Sequence, residues 1–337
     1  MRVHRHGRRV AATRSARRVP FGDMAAEGDS KIAILAALGA NAGIMIAKFI
    51  GAFVTGSSSM LAEAVHSVAD TGNEALLLVG RNRAGQDPDT LHPFGYSRNR
   101  YFYSFVVALV LFTMGCLFAV NEAIHKIRFP HEIESPSVAI VILLVSMVLE
   151  GGSFRTARKQ SAPLKGKHSW WHFIRNTRNP ELPVVLLEDM GALIGLVFAL
   201  AGVSLSVLTG NGVWDGVGTL LIGLLLGVNA VVLIVETKSL LIGEGATPRE
   251  DTAMRAALVA DPRIVRVIRI QTQYLGPEDL LVNAKIAMRP GLDISEVGAA
   301  IDAADARIRA AAPNACTVYL EPDVFKPESA HAAAETQ

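Results

Sequence analysis

The stretch "AEAVHSVADTGNEAL" sets His66 and Asp70 four residues apart, with Glu63 about one turn before them and Glu74 about one turn after. In a helix that spacing stacks both side chains on one face. Imidazole nitrogen and carboxylate oxygen, each about 2.0–2.2 Å from the metal, suit a divalent cation such as zinc. Without a metal, the same two residues are an interhelical hydrogen-bonded pair, and they leave both readings open. A second acidic pair, Glu188 and Asp189, lies near the start of "PVVLLEDMGALIG". Neighbouring helical residues point about 100° apart, so both acids can face one interior only by straddling the inward stripe. With His66 and Asp70 they would supply four ligands, the number zinc prefers.

The elements that must hold these groups are apolar. The chain has 337 residues, 50% of them hydrophobic and 19% charged, and the charges gather at both ends and in two internal loops. A helix spans the bilayer core with about 20 predominantly apolar residues. Six stretches qualify, at 32–55, 59–80, 101–124, 136–157, 183–208 and 213–236. An ionised acid at the bilayer centre costs about 2.5–3.5 kcal/mol on insertion scales, so each one needs a reason. The expected fold is an α-helical membrane protein with six transmembrane helices, spanning 30–243. A C-terminal α+β unit of order αββαβ (ferredoxin-like) follows over 246–325, where "VRVIRIQTQYL" and "DLLVNAKIAMR" alternate as strands around "GPED".

Loop charge orients the spans. "RNRAGQDPDTLHPFGYSRNR" carries four arginines, and a basic loop around Arg158–Arg178 lies on the same side, whereas "VTGSS" and "LTGNG" carry no charge. Both termini are therefore expected in the cytoplasm or its equivalent. Residues 1–23 hold seven arginines and one acid. Within the tail 1–29 they read as a disordered basic segment, an organellar presequence, or sequence upstream of a start at Met24; 326–337 reads as a disordered tail. Cys116 and Cys316 form no CxxC pair, and no Walker-type glycine loop is present. The chain is thus expected to be neither a disulfide protein nor an ATP-driven pump, and no nucleic-acid partner is expected.

The motif "HSVAD", the loop "HPFGYSR", the stretches "VLEGGSF" and "TRNPELPVVLLED", and the terminal αββαβ pattern together resemble the cation diffusion facilitator family, in particular its zinc-transporter-nine-like branch. The resemblance covers roughly residues 30–325. It implies a transport site with two ligands from span two and two from span five, each pair four residues apart. His66, Asp70 and Asp189 match three of those positions. Val185 stands at the fourth, where most zinc-transporting members have histidine. Either water completes a three-ligand site or Glu188 substitutes, and Glu188 is the expected fourth ligand.

The resemblance also implies metal sites in the C-terminal domain, but "LVNAKIAM" and "TVYLEP" contain no histidine. A dimerisation role without metal is expected there. In the loop, Asp89 and His92 match positions that some members use, with Tyr96 where a second histidine would stand. "HSWWH" reads as interfacial tryptophans on a basic surface. Glu150 reads as a site neighbour, a proton acceptor or a structural hydrogen-bond partner, and Lys48 as a snorkelling or ion-paired lysine. Asn41, Asn73 and Asn229 read as interhelical contacts. Gly39/Gly43, Gly191/Gly195 and Gly223/Gly227 have the spacing of close helix packing.

The expected function is efflux of a divalent metal cation, foremost zinc/proton antiport, by a homodimer in the lipid bilayer. The chain is expected to be no enzyme and to hold no cofactor, the metal being cargo and the proton its counter-ion. Ligands must be deprotonated to bind, so metal and protons compete, and His66, with an ordinary value of about 6.5, suits that exchange. Another divalent ion (manganese, iron, cobalt or nickel) and a non-transporting membrane scaffold are the alternatives. A bacterial inner membrane is the expected location, with a mitochondrial membrane as the alternative.

Overall fold

Glycine, serine and proline punctuate the apolar runs and set the helix ends. The computed structural model describes residues 41–167 and 169–324. Helix α1 is described over Asn41–Thr55; the rest of the first predicted span, Gly39 and both tails lie outside the described residues. Gly56 ends this helix with φ +62°, a backbone setting that favours glycine. Ser57 then opens α2 (Ser58–Ala84), its side chain accepting from the Met60 N–H.

The third span runs without a break through α3 (Asn99–Val110), a π-helical segment Leu111–Leu117 and α4 (Phe118–Arg128). Pro136 begins α5 (Pro136–Lys165), where its missing N–H costs nothing. Short α6 (Trp170–Asn176) precedes the long hairpin of α7 (Glu181–Thr209) and α8 (Val213–Ile242).

Among the described residues four helices are long and apolar enough to cross a membrane: Asn99–Arg128, Pro136–Pro163, Glu181–Thr209 and Val213–Ile242. The predicted span at 59–80 forms its helix, α2, at 27 residues, but it falls outside that set because its sequence is too polar. Its Glu63, His66, Ser67 and Asn73 are buried against other helices. Outward faces are apolar instead: Val148 on α5 is 75% exposed and Phe53 on α1 83%, a surface suited to lipid.

After α8 the chain forms α9 (Pro248–Val259), β1 (Ile264–Gly276), β2 (Asp279–Met288), α10 (Ile294–Ala311) and β3 (Ala315–Val324). Both helices begin with a capping box, Thr247 with Glu250 and Asp293 with Glu296. The sheet order is β1-β2-β3, with β1 antiparallel to β2 (Ile270 opposite Ala284) and β3 parallel to β2 (Val282 opposite Val318). Met254, Leu258, Ile286, Ala304 and Ile308 share its core. This is the expected αββαβ unit.

Polar contacts define two ends of the bundle. At the near end Arg178 pairs with Glu244, Arg100 of α3 meets Glu181 of α7 at 2.7 Å, and Ser97 donates to Asp279 of β2, tying the helical part to the αββαβ unit. At the far end the α1–α2 turn meets the start of α8. Close helix approaches occur at the predicted glycines. A Cβ on Gly195 would lie 2.6 Å from Glu63 Oε1, and one on Gly223 would lie 2.9 Å from Val120. Gly43 differs: a Cβ there meets nothing within 4 Å. It faces open space, so it does not mark helix packing within the described chain.

Candidate metal site

α2, α5 and α7 converge on a narrow cavity in the near half of the bundle. Asp70 and Glu74 of α2, Glu150 and Ser153 of α5, and Val185, Glu188 and Asp189 of α7 line it, with Asn41 of α1. Its volume of about 30 Å³ is enough for water or a small ion.

The helical period accounts for the wall. Asp70 and Glu74 are one turn apart on α2, and Glu150 and Ser153 are three residues apart on α5, so each pair shares a face. On α7, Glu188 and Asp189 diverge as their spacing requires, yet both reach the cavity. Glu188 is buried and accepts a 2.6 Å hydrogen bond from Asn73 Nδ2, while Asp189 accepts from Ser153 Oγ at 3.2 Å. Val185 offers only methyl groups to the same space.

His66 stands one turn behind Asp70, fully buried, and does not line the cavity. Its Nδ1 lies 3.2 Å from Asp70 Oδ1, out of hydrogen-bond alignment. Asp70 Oδ1 and both ring nitrogens of His66 thus have no hydrogen-bond partner, although they are buried. Orphaned buried polar atoms are rare in native proteins and call for an explanation such as an ion. Asp70, Glu188 and Asp189 therefore share one cavity with His66 behind them. Among the described residues no three His, Cys, Asp or Glu side chains close to metal-holding geometry.

Lys48 is ion-paired rather than snorkelling. Its Nζ lies 2.9 Å from Ser67 Oγ, 3.2 Å from Glu63 Oε2 and 3.6 Å from Glu150 Oε1, with no exposure. All three asparagines make interhelical contacts as expected: Asn229 donates to the Leu187 carbonyl at 3.0 Å, and Asn41 and Asn73 hold the cavity acids Glu74 and Glu188 respectively. Ser153 escaped the sequence reading. Its position three residues beyond Glu150 on an otherwise apolar run was the available signal.

Asp215, at the far end, was also missed. It accepts from Ser57 Oγ at 2.8 Å and from the Ser58 and Ser59 N–H groups at 2.7 and 3.2 Å, with Lys126 Nζ at 3.7 Å. One carboxylate of α8 thereby caps the first turn of α2, where the helix dipole favours negative charge. "WDG" alone gives no hint of a partner 158 residues away.

In the loop, Asp89 is committed to turn formation. One oxygen accepts from the Leu91 and His92 N–H groups and the other from the Tyr96 hydroxyl at 2.6 Å. The Tyr96 bond and the backbone donors hold its carboxyl below the usual range. Cys116 is buried, Cys316 is exposed, and both are free thiols. Tryptophans 170 and 171 lie under cations, with Lys165 Nζ 5.2 Å from the Trp170 ring and Arg175 6.0 Å from the Trp171 ring. His168, the other part of that motif's start, lies outside the described residues.

Residues 34–242 match the model of the cation efflux transmembrane domain. The chain is 34% identical over 232 residues to the mitochondrial proton-coupled zinc antiporter of Mus musculus, covering 68% of this chain and 41% of that protein. It is 29% identical over 260 residues to metal tolerance protein C4 of Arabidopsis thaliana, covering 76% and 57%. Against zinc transporter ZitB of Escherichia coli (strain K12) it is 27% identical over 225 residues, covering 65% of each. The chain thus spans about two-fifths of the length of the first of these relatives and a little over half of the second. The matched segment takes in the helices that carry the cavity acids, and the chain belongs to the cation diffusion facilitator family of multi-pass integral membrane proteins.

Proposed function

We propose that this chain exports a divalent metal ion, foremost zinc, in exchange for protons, and that His66, Asp70, Glu188 and Asp189 bind the ion. The observation that carries the reading is the set of buried, unpartnered ligand atoms on His66 and Asp70 beside a cavity that two further acids line. In a lipid-embedded bundle such groups are costly and mark the path of an ion. A cation would neutralise the acids, and protons would replace it, because each group binds one or the other. The names of the mouse and bacterial relatives, a proton-coupled zinc antiporter and a zinc transporter, favour zinc.

In this reading six helices over 30–243 form the transport unit, with both termini in the cytoplasm, and 246–325 joins two copies into a homodimer without metal. The near-end position of the cavity then makes it the face that loads from the cytoplasm. A bacterial inner membrane suits the chain, and the mouse relative's mitochondrial name keeps the mitochondrial membrane in view.

A second reading has its own observation. The cavity wall supplies carboxylates and amide or hydroxyl oxygens but no imidazole, since His66 sits behind Asp70 and Val185 replaces a donor. An oxygen-rich site favours harder ions such as manganese. Purified protein in sealed vesicles, assayed for zinc, manganese, iron, cobalt and nickel uptake with and without a pH gradient, tests both. Zinc uptake that follows the proton gradient is expected. Manganese preference would support the second reading, and transport of no ion by folded protein would overturn both.

A further inference from the structure

Three helices meet at Lys48, one layer behind the cavity. Its ammonium can donate three hydrogen bonds, and it faces three acceptors of unequal closeness: Ser67 Oγ at 2.9 Å, Glu63 Oε2 at 3.2 Å and Glu150 Oε1 at 3.6 Å. The first two are hydrogen bonds. The third is an ion pair too long for one, and among the described residues nothing donates a hydrogen bond to the Glu150 carboxylate. Glu63 is wholly buried with Lys48 and does not reach the cavity, whereas Glu150 lines it beside Asp70 and Asp189. Glu150 is therefore held on one side by a protein cation and presented on the other to the space where a cargo cation would sit.

We propose that Lys48 is a tethered resident cation and that Glu150 is the acid it shares with the transported ion: the entering ion draws Glu150 into its coordination, and Lys48 takes Glu150 back when the ion leaves. This inference rests on the metal-site reading above and deepens it. Two cations cannot both sit close to one carboxylate without repelling each other, and a divalent ion carries twice the charge of the ammonium. Losing Glu150 leaves Lys48 its two closer partners, Glu63 and Ser67, so it is never a bare buried charge. A resident competitor also keeps binding from becoming so tight that the ion cannot leave. Glu150 is thus a ligand supplied by α5, and Lys48 a positioning residue that tunes affinity and release.

The test uses the full chain, purified and titrated with zinc ion at one neutral pH, with the zinc-induced carboxylate bands followed by infrared difference spectroscopy. Glu150→Gln is expected to weaken zinc binding about 10–100-fold and to remove one zinc-sensitive carboxylate band. The charge-matched pair Lys48→Met with Glu63→Gln removes the competitor without changing the net charge and leaves Glu150 to the entering ion alone. It is expected to bind zinc about tenfold more tightly and to release it more slowly from loaded vesicles. If Glu150→Gln binds zinc like wild type and keeps every band, the inference is wrong, whether or not the paired variant folds. Unchanged affinity in a folded paired variant would also overturn it, making Lys48 a structural anchor. Asp70→Asn separates the two levels: loss of binding there with no effect of Glu150→Gln defeats this inference alone, and unaltered binding in Asp70→Asn defeats the metal site.

Discussion

The two ends of the helical bundle treat buried acids in opposite ways. At the far end Asp215 is sealed from solvent and has both oxygens engaged, by a serine hydroxyl, two helix N–H groups and Lys126. At the near end Asp70 keeps a buried oxygen with no hydrogen-bond donor, and Asp189 has only Ser153. Residue type is alike, although Asp70 is 22% exposed and Asp215 fully buried; satisfaction is not. A carboxylate whose lone pairs are filled by its own chain holds the structure together. One left short of donors is poised for something the chain does not supply. Asp215 belongs to the first kind, and the cavity acids to the second.

Exchanging the two kinds of acid tests that contrast most severely. Asp70→Ala and Asp189→Ala should each abolish transport in vesicles at matched protein levels, with thermal unfolding in detergent at or above the wild-type midpoint. Asp215→Ala should do the reverse. It strands Lys126 and the first N–H groups of α2, a loss of about 3–5 kcal/mol for breaking a buried pair, while the protein that remains folded binds zinc with wild-type affinity. Transport at wild-type rate in either cavity variant, or an undisturbed Asp215→Ala, would collapse the distinction.

Glu188 sharpens it, because its environment is intermediate: buried like Asp215, and holding one donor, Asn73, at 2.6 Å. As the proposed fourth ligand it should lose about tenfold or more in metal affinity as Glu188→Gln, and Val185→His should restore part of this and favour zinc over manganese. Titration calorimetry across about pH 6 to 8, around the ordinary histidine value of about 6.5, measures both. Undiminished binding in Glu188→Gln would move it to the structural kind and leave His66, Asp70 and Asp189 with water.

The smallest effect belongs to a satisfied acid outside the membrane. Asp261 in the αββαβ unit accepts from Arg263 Nε and Nη2 at 2.9 Å and from Arg307 Nη2 at 3.2 Å. The Arg263 hydrogen bonds, opposed by burial and helped by Arg307, hold its carboxyl well below the ordinary range. A depressed folded value means the stabilisation is fully present above the unfolded value of about 3.9 and is lost as pH falls towards the folded one. Asp261→Asn should therefore destabilise the unit by about 1–2 kcal/mol near neutrality, discounted because both arginines are partly exposed. Hydrogen exchange in α9 and α10 of the full chain should show this, with wild type and variant converging below about pH 3.9. A gap that stays constant down the acid range would mean that charge plays no part.

Consecutive residues carried the helices, the αββαβ order and the likeness to a transporter family. Hydropathy, caps and strand alternation are local properties, and the four-residue step from His66 to Asp70 fixes their common face whatever surrounds them. The same rule required Glu188 and Asp189 to diverge, and they do, towards Asn73 and Ser153. What α2, α5 and α7 enclose was not local. That Glu150 lines the cavity while pairing with a lysine 102 positions earlier, that His66 stands behind Asp70 rather than in the wall, and that Asp215 caps a helix 158 residues away all depend on which helix faces meet. A periodic pattern says which side of a helix is inward. Only packing says which groups from other helices wait there, and a buried charge takes its role from those groups.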